Sequence, residues 1–163
     1  MNKKIIIGLV LIVLGGLFWL GQVQQKNNNS ASSSNNQPSL LASIESSFDF
    51  GNISMSAGDV SHVFKIKNTT DQLITIDKIY TSCMCTTATI MLAGNKYGPY
   101  TMPGHGFMPR LNKTLTPSEE ADIEVIFDPA AHGPAGIGRI NRTVYIENGP
   151  TVLELSFTAT VTP

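Results

Sequence analysis

From residue 40 onwards, apolar and polar positions alternate over short stretches punctuated by glycine, proline, asparagine and aspartate. A period of two puts every second side chain on one face of a pleated strand. In residues 47–54, SFDFGNIS, Phe48 and Phe50 share a face until Gly51-Asn52 breaks the run. After the turn at residues 57–59, Val60, His62, Phe64 and Ile66 alternate with Ser61, Val63, Lys65 and Lys67. Asn68-Thr69-Thr70-Asp71 then closes that strand with turn chemistry. Residues 73–80, LITIDKIY, predict a third strand that runs on towards Cys83. Further along, Ala121, Ile123, Val125 and Phe127 face one way, until Asp128-Pro129 stops the ladder. Ile140, Arg142, Val144 and Ile146 alternate with Asn141, Thr143, Tyr145 and Glu147, and Asn148-Gly149 signals a hairpin. Leu153, Leu155, Phe157, Ala159 and Val161 form a last strand. No stretch after residue 40 keeps a helical apolar period. The pattern predicts an all-β, antiparallel β-sandwich of about seven strands.

The N-terminal 39 residues follow a different rule. Lys3-Lys4 precede an unbroken apolar run over residues 5–20, IIIGLVLIVLGGLFWL, with Trp19 near its outer end. A positive flank and an interfacial indole predict a membrane segment with its N-terminus inside. The run exceeds a secretory apolar region of about 7–15 residues, and no A-x-A-like cleavage site follows it. Residues 1–21 are therefore expected to be a retained single-pass anchor, which leaves the rest of the chain outside the cytoplasm. Residues 22–39, QVQQKNNNSASSSNNQPS, hold almost nothing to bury and predict a flexible linker. The folded domain is expected over residues 40–163.

Composition narrows the partners. A net charge of −1 and a charged fraction of 14% supply no basic field, so the expectation is no nucleic-acid partner. There is no Walker loop, G-x-S-x-G or H-E-x-x-H, so nucleotide and hydrolase chemistry have no support. Asp49, Asp59, Asp77 and Asp128 fall at turns and strand ends, where aspartate bonds to local backbone. Glu119-Glu120 reads as solvated charge at a strand start. His62 reads as a half-buried, hydrogen-bonded residue, and His132 as an exposed turn residue.

The remaining chemistry lies in residues 80–87, YTSCMCTT, which hold both cysteines of the chain, Cys83 and Cys85. On a strand these two sulfurs point to one face. A disulfide between them would then be strained, because residues two apart on an extended strand stand about 6.6 Å apart at Cα, near the upper limit for the bond. Reduced, the pair can ligate a soft metal, pack as small apolar residues, or serve thiol–disulfide exchange. The loop that follows carries Met102, His105 and Met108 at intervals of three between glycines and prolines. Thioether, imidazole and thiolate together suit Cu(I).

The ordered set F-D-F-G-N-I, V-x-H-x-F-x-I-K-N-T, T-S-C-M-C-T and I-x-V-x-F-D-P, with its closing apolar strand, resembles the bacterial domain-of-unknown-function family 1573. The resemblance runs over about residues 48–161 and implies an Ig-like sandwich related to Hydin and major-sperm-protein domains. It implies no activity. Members of that family pass quickly from the cysteine segment to the next strand, whereas residues 91–116 here read as a longer loop. The expectation is a membrane-anchored, extracytoplasmic, non-enzymatic binding or scaffolding module with a protein partner at the envelope. Its alternatives are a copper(I) site of Cys83, Cys85, Met102, His105 and Met108, and a thiol–disulfide redox protein.

Overall fold

The computed structural model describes residues 39–105 and 109–163. The expected anchor and nearly all of the linker lie outside the described residues; among those described, no helix is long and apolar enough to cross a membrane. Among the described residues eleven strands form, where the alternation predicted about seven: β1 (Leu41–Ser43), β2 (Ser47–Ser54), β3 (Val60–Asn68), β4 (Ile74–Ile76), β5 (Lys78–Thr81), β6 (Thr86–Leu92), β7 (Asn95–Tyr100), β8 (Lys113–Leu115), β9 (Glu120–Phe127), β10 (Gly138–Asn148) and β11 (Thr151–Thr162). They build an all-β sandwich. One sheet has the order β1-β3-β9-β6-β7, the second β2-β11-β10-β5, and β4 pairs with β8 alone.

The alternation decides which face each strand buries. Ala121, Ile123, Val125 and Phe127 of β9 are buried, while Asp122 and Glu124 point outwards and pair with Lys65 (2.8 Å) and Lys96 (2.9 Å). From the facing sheet, Val144 and Ile146 of β10 and Leu155, Phe157 and Ala159 of β11 complete the core. Burying side chains of this size, each worth about 1.5–3 kcal/mol, is what holds two twisted sheets face to face.

Three expectations change. Residues 73–80 do not make one strand: β4 and β5 belong to different sheets, separated at Asp77. The Asp77 N–H donates to the Glu147 carbonyl (2.8 Å), and its carbonyl accepts from Leu111 (2.9 Å), so it serves both neighbours at the crossing. Residues 91–116 are only partly loop. β6 and β7 form a hairpin through Ala93-Gly94, both at positive φ (49° and 76°), and the loop begins only after Tyr100. Finally, the sandwich is not wholly antiparallel, because β2 runs parallel to β11.

Strand register defines two ends. Val60 and Thr86 both pair with Phe127 at one end of the first sheet, whereas Leu41 pairs with Asn68 and Lys67 with Glu120 at the other. The domain's first described residues therefore lie at the second end. The β10–β11 hairpin, Asn148 opposite Thr151, closes the second sheet.

Candidate functional site

β5 ends at Thr81 in one sheet and β6 begins at Thr86 in the other, so the residues between them cross from sheet to sheet. Cys83 and Cys85 sit in that crossing and not on a strand. The Thr86 N–H donates to the Cys83 carbonyl (3.2 Å), which closes a four-residue turn over Cys83-Met84-Cys85. Thr81, 1% exposed, braces the turn from beneath: its hydroxyl is shared between the carbonyls of Cys83 (2.9 Å) and Thr86 (3.1 Å). Ser82 ties the turn to β10 through Thr143, donating backbone N–H to its carbonyl and accepting its N–H on Oγ (both 2.9 Å). The Asp128 N–H donates to the Cys85 carbonyl (2.9 Å), which fixes the turn to the end of β9.

The turn brings the two sulfurs to 2.7 Å, Cys85 donating to Cys83. His132 arrives from the loop after β9 and places Nε2 3.2 Å from Cys83 Sγ. That loop is held by Asp128, whose carboxylate accepts from the Ala130 N–H (2.7 Å). Gly136 leaves His132 its space, because a Cβ there would lie 3.3 Å from the histidine Cβ. Arg142, on β10, donates from Nε to Cys85 Sγ at 3.3 Å. Donor atoms of Cys83, Cys85 and His132 all lie within 4.8 Å of one another. An open pocket of about 500 Å³ borders Cys83 and His132, lined also by Ser82, Ile137 and Arg142 among others, with Cys85 behind Cys83 on the core side.

The two thiols differ. Cys85 belongs to the core and Cys83 is half-buried on the pocket side. Burial pushes the Cys83 thiol up, but hydrogen bonds from Cys85 and His132, together with the Arg142 charge, outweigh it and hold the thiol at about 7. Burial pushes the Cys85 thiol up as well, and the neighbouring Cys83 sulfur adds to that rise against the pull of Arg142.

Of the residues the sequence grouped, the structure brings together Cys83 and Cys85. The loop of Met102 and His105 starts close by, since the Thr81 N–H donates to the Thr101 carbonyl (3.3 Å). His105 is exposed, in a turn closed onto the Met102 carbonyl, and it is not part of the three-donor group found among the described residues. Met102 is half-buried, and Met108 lies outside the described residues. His132 is exposed, as expected of its turn, yet it is the imidazole that meets the sulfurs. Arg142 carried a signal of its own: it holds an inward register position between Ile140 and Val144, where a cation needs an anionic partner.

Residues 41–97 match the family model described as "Protein of unknown function (DUF1573)". That span takes in both cysteines, whereas His132 and Arg142 lie beyond it. A crystal structure of a protein of unknown function from Porphyromonas gingivalis W83 is similar at a TM-score of 0.54 and 11% identity, over 74% of this chain and 46% of that one. The secreted serine protease VesC from Vibrio cholerae gives a TM-score of 0.49 at 11% identity, over 79% of this chain and 25% of that one. The PapD-like domain 7 of human CEP192 gives 0.44 at 9% identity, over 76% and 85%. The chain thus spans less than half the length of the first two. The Porphyromonas likeness is one of fold. No curated protein matches the sequence.

Proposed function

We propose that this chain is an extracytoplasmic, non-catalytic binding module whose pocket takes a soft metal ion, copper(I), on Cys83, Cys85 and His132. The observation that carries the reading is the convergence of two sulfurs and an imidazole nitrogen within 4.8 Å at an open pocket. Thiolate and imidazole donors select copper(I) over hard cations. Charge favours a monovalent ion: two thiolates, one copper(I) and the Arg142 guanidinium cancel, whereas a divalent ion leaves an uncompensated charge in a half-buried site. A closed structural zinc site takes four protein ligands, and three donors converge among the described residues. Cys83, Cys85 and His132 would hold the ion, and because the sulfurs stand 2.7 Å apart in the metal-free pair they would have to separate to share it. The anchor read in residues 1–21 supports an extracytoplasmic setting, and Leu41, paired with Asn68, lies at the end of the sheet opposite Phe127.

The test is an anaerobic competition between the reduced full-length chain and a chromogenic copper(I) chelator. Uptake of about one equivalent is expected for a single soft-donor site. Cys83→Ser and Cys85→Ser should abolish it, His132→Ala should weaken it, and His105→Ala should leave it unchanged. A wild-type chain that takes no copper from the chelator ends the proposal.

A further inference from the structure

The crossing between β5 and β6 removes an obstacle that an extended strand would impose. On a strand, residues two apart stand about 6.6 Å apart at Cα, close to the limit for a disulfide. Here the turn closed by Thr86 folds Cys83 back towards Cys85 and sets the two sulfurs 2.7 Å apart. Thr81 and Asp128 hold the turn's carbonyls on either side, so the approach is built into the backbone. One sulfur of the pair faces the pocket and the other faces the core. That is the arrangement of an attacking thiol backed by a resolving one.

We propose that Cys83 and Cys85 undergo thiol–disulfide exchange with a low-molecular-weight disulfide, and that the site holds its metal only as the dithiol. Cys83 lines an open pocket of about 500 Å³ beside His132 and Ile137, which has room for a small disulfide. In the first step Cys83 Sγ, in the pocket beside His132 (Nε2 3.2 Å away), attacks one sulfur of the disulfide as the thiolate, its proton passing to solvent. A Cys83 mixed disulfide forms, the substrate bond breaks, and the departing thiolate takes a proton from solvent. In the second step Cys85, losing its own proton, attacks Cys83 Sγ and displaces the second thiolate, which leaves as a thiol. The pair loses two electrons and the disulfide gains them. Copper(I) keeps its oxidation state and departs because both sulfur ligands are consumed. The exchange stands on the turn geometry; the metal release rests on the copper(I) reading above.

The experiment incubates the reduced, metal-free, full-length chain with glutathione disulfide, quenches with acid, alkylates, and counts thiols by mass. Wild type is expected to lose both thiols together without accumulating a glutathione adduct, and Cys85→Ser is expected to stop with one glutathione on Cys83. The wild-type count needs no variant to fold. Oxidised wild type should then take no copper(I) from the chelator and regain uptake on reduction. Thiols that survive excess glutathione disulfide, or a wild-type chain that halts at a stable adduct, overturn the exchange. An oxidised chain that still takes copper overturns the link to metal. A reduced chain that never binds copper ends the metal reading alone, because the thiol count is read without metal.

Discussion

The Cys83 thiol faces the pocket and the Cys85 thiol faces the core, so their surroundings set different reactivities. Since the thiolate is the nucleophile, alkylation of Cys83 should rise with pH around a midpoint of about 7, below the ordinary thiol value. Cys85, pushed up by burial, should react only at higher pH. Mass mapping of iodoacetamide adducts against pH checks this; equal profiles for the two would refute it. Stability is a poorer reporter. The lowered Cys83 value contributes stability at high pH that is lost as pH falls through about 7, whereas the raised Cys85 value contributes stability at low pH that is lost as pH rises. The two effects oppose each other. At this scale the sequence was half legible. Two cysteines two apart announced a sulfur site, but His132 stands 49 residues from Cys83, in a Gly/Pro-rich loop with no pattern to tie it there. His105 is the nearer imidazole in sequence, but nearness along a chain says little about nearness across a β-sandwich.

Among elements, the crossing turn depends on Thr81. Thr81→Val keeps the shape and removes the hydroxyl from two carbonyls. A loss of about 1–2 kcal/mol is expected for an unmet buried hydrogen bond, along with weaker copper uptake, read by urea unfolding and the chelator assay. Asn68 is a second such joint. Its Nδ2 donates to the carbonyls of Gln72 (2.8 Å), Leu115 (3.1 Å) and Thr116 (3.1 Å), and its Oδ1 accepts from the Thr70 N–H (2.9 Å) and hydroxyl (2.8 Å). Asn68→Asp turns a donor amide into a carboxylate facing three carbonyl oxygens. It should cost more than Asn68→Ala, by several kcal/mol if the charge stays buried, and the excess should shrink at low pH as the carboxyl protonates. Strands with clean alternation, such as β3, β9, β10 and β11, were readable because their partners demand one apolar face. The β6–β7 hairpin was not, since Ala93-Gly94 lacks the Asn-Gly signature and Gly98-Pro99 reads as loop. Gly98 nevertheless sits within the pairing: it has φ 122°, and a Cβ would meet the Ala88 carbonyl at 3.0 Å. Gly98→Ala should therefore lower the melting temperature despite the small size of the change.

For the whole molecule, the central strand of the larger sheet sets stability. Ile123 on β9 is 0% exposed, between β3 and β6, so Ile123→Ala should cost about 2–5 kcal/mol, seen as a lower urea midpoint in one cooperative transition. Sandwich class was legible because two-residue periodicity forces two facing apolar sheets. Strand order was not: nothing in residues 47–54 states that they run parallel to residues 151–162, because pairing partners are selected by global packing.

That same pairing decides how the protein can be handled. β2 and β11 finish together, with the Ser54 hydroxyl donating to the Pro163 carbonyl at 2.9 Å, and Val161 lies opposite Gly138 beside the pocket loop. A polyhistidine tag fused after Pro163 would bring its imidazoles to the Ile137–Arg139 side of the pocket, where they can counterfeit metal uptake. Leu41, by contrast, pairs with Asn68 at the other end of the sheet, so a handle is better carried on the N-terminal side.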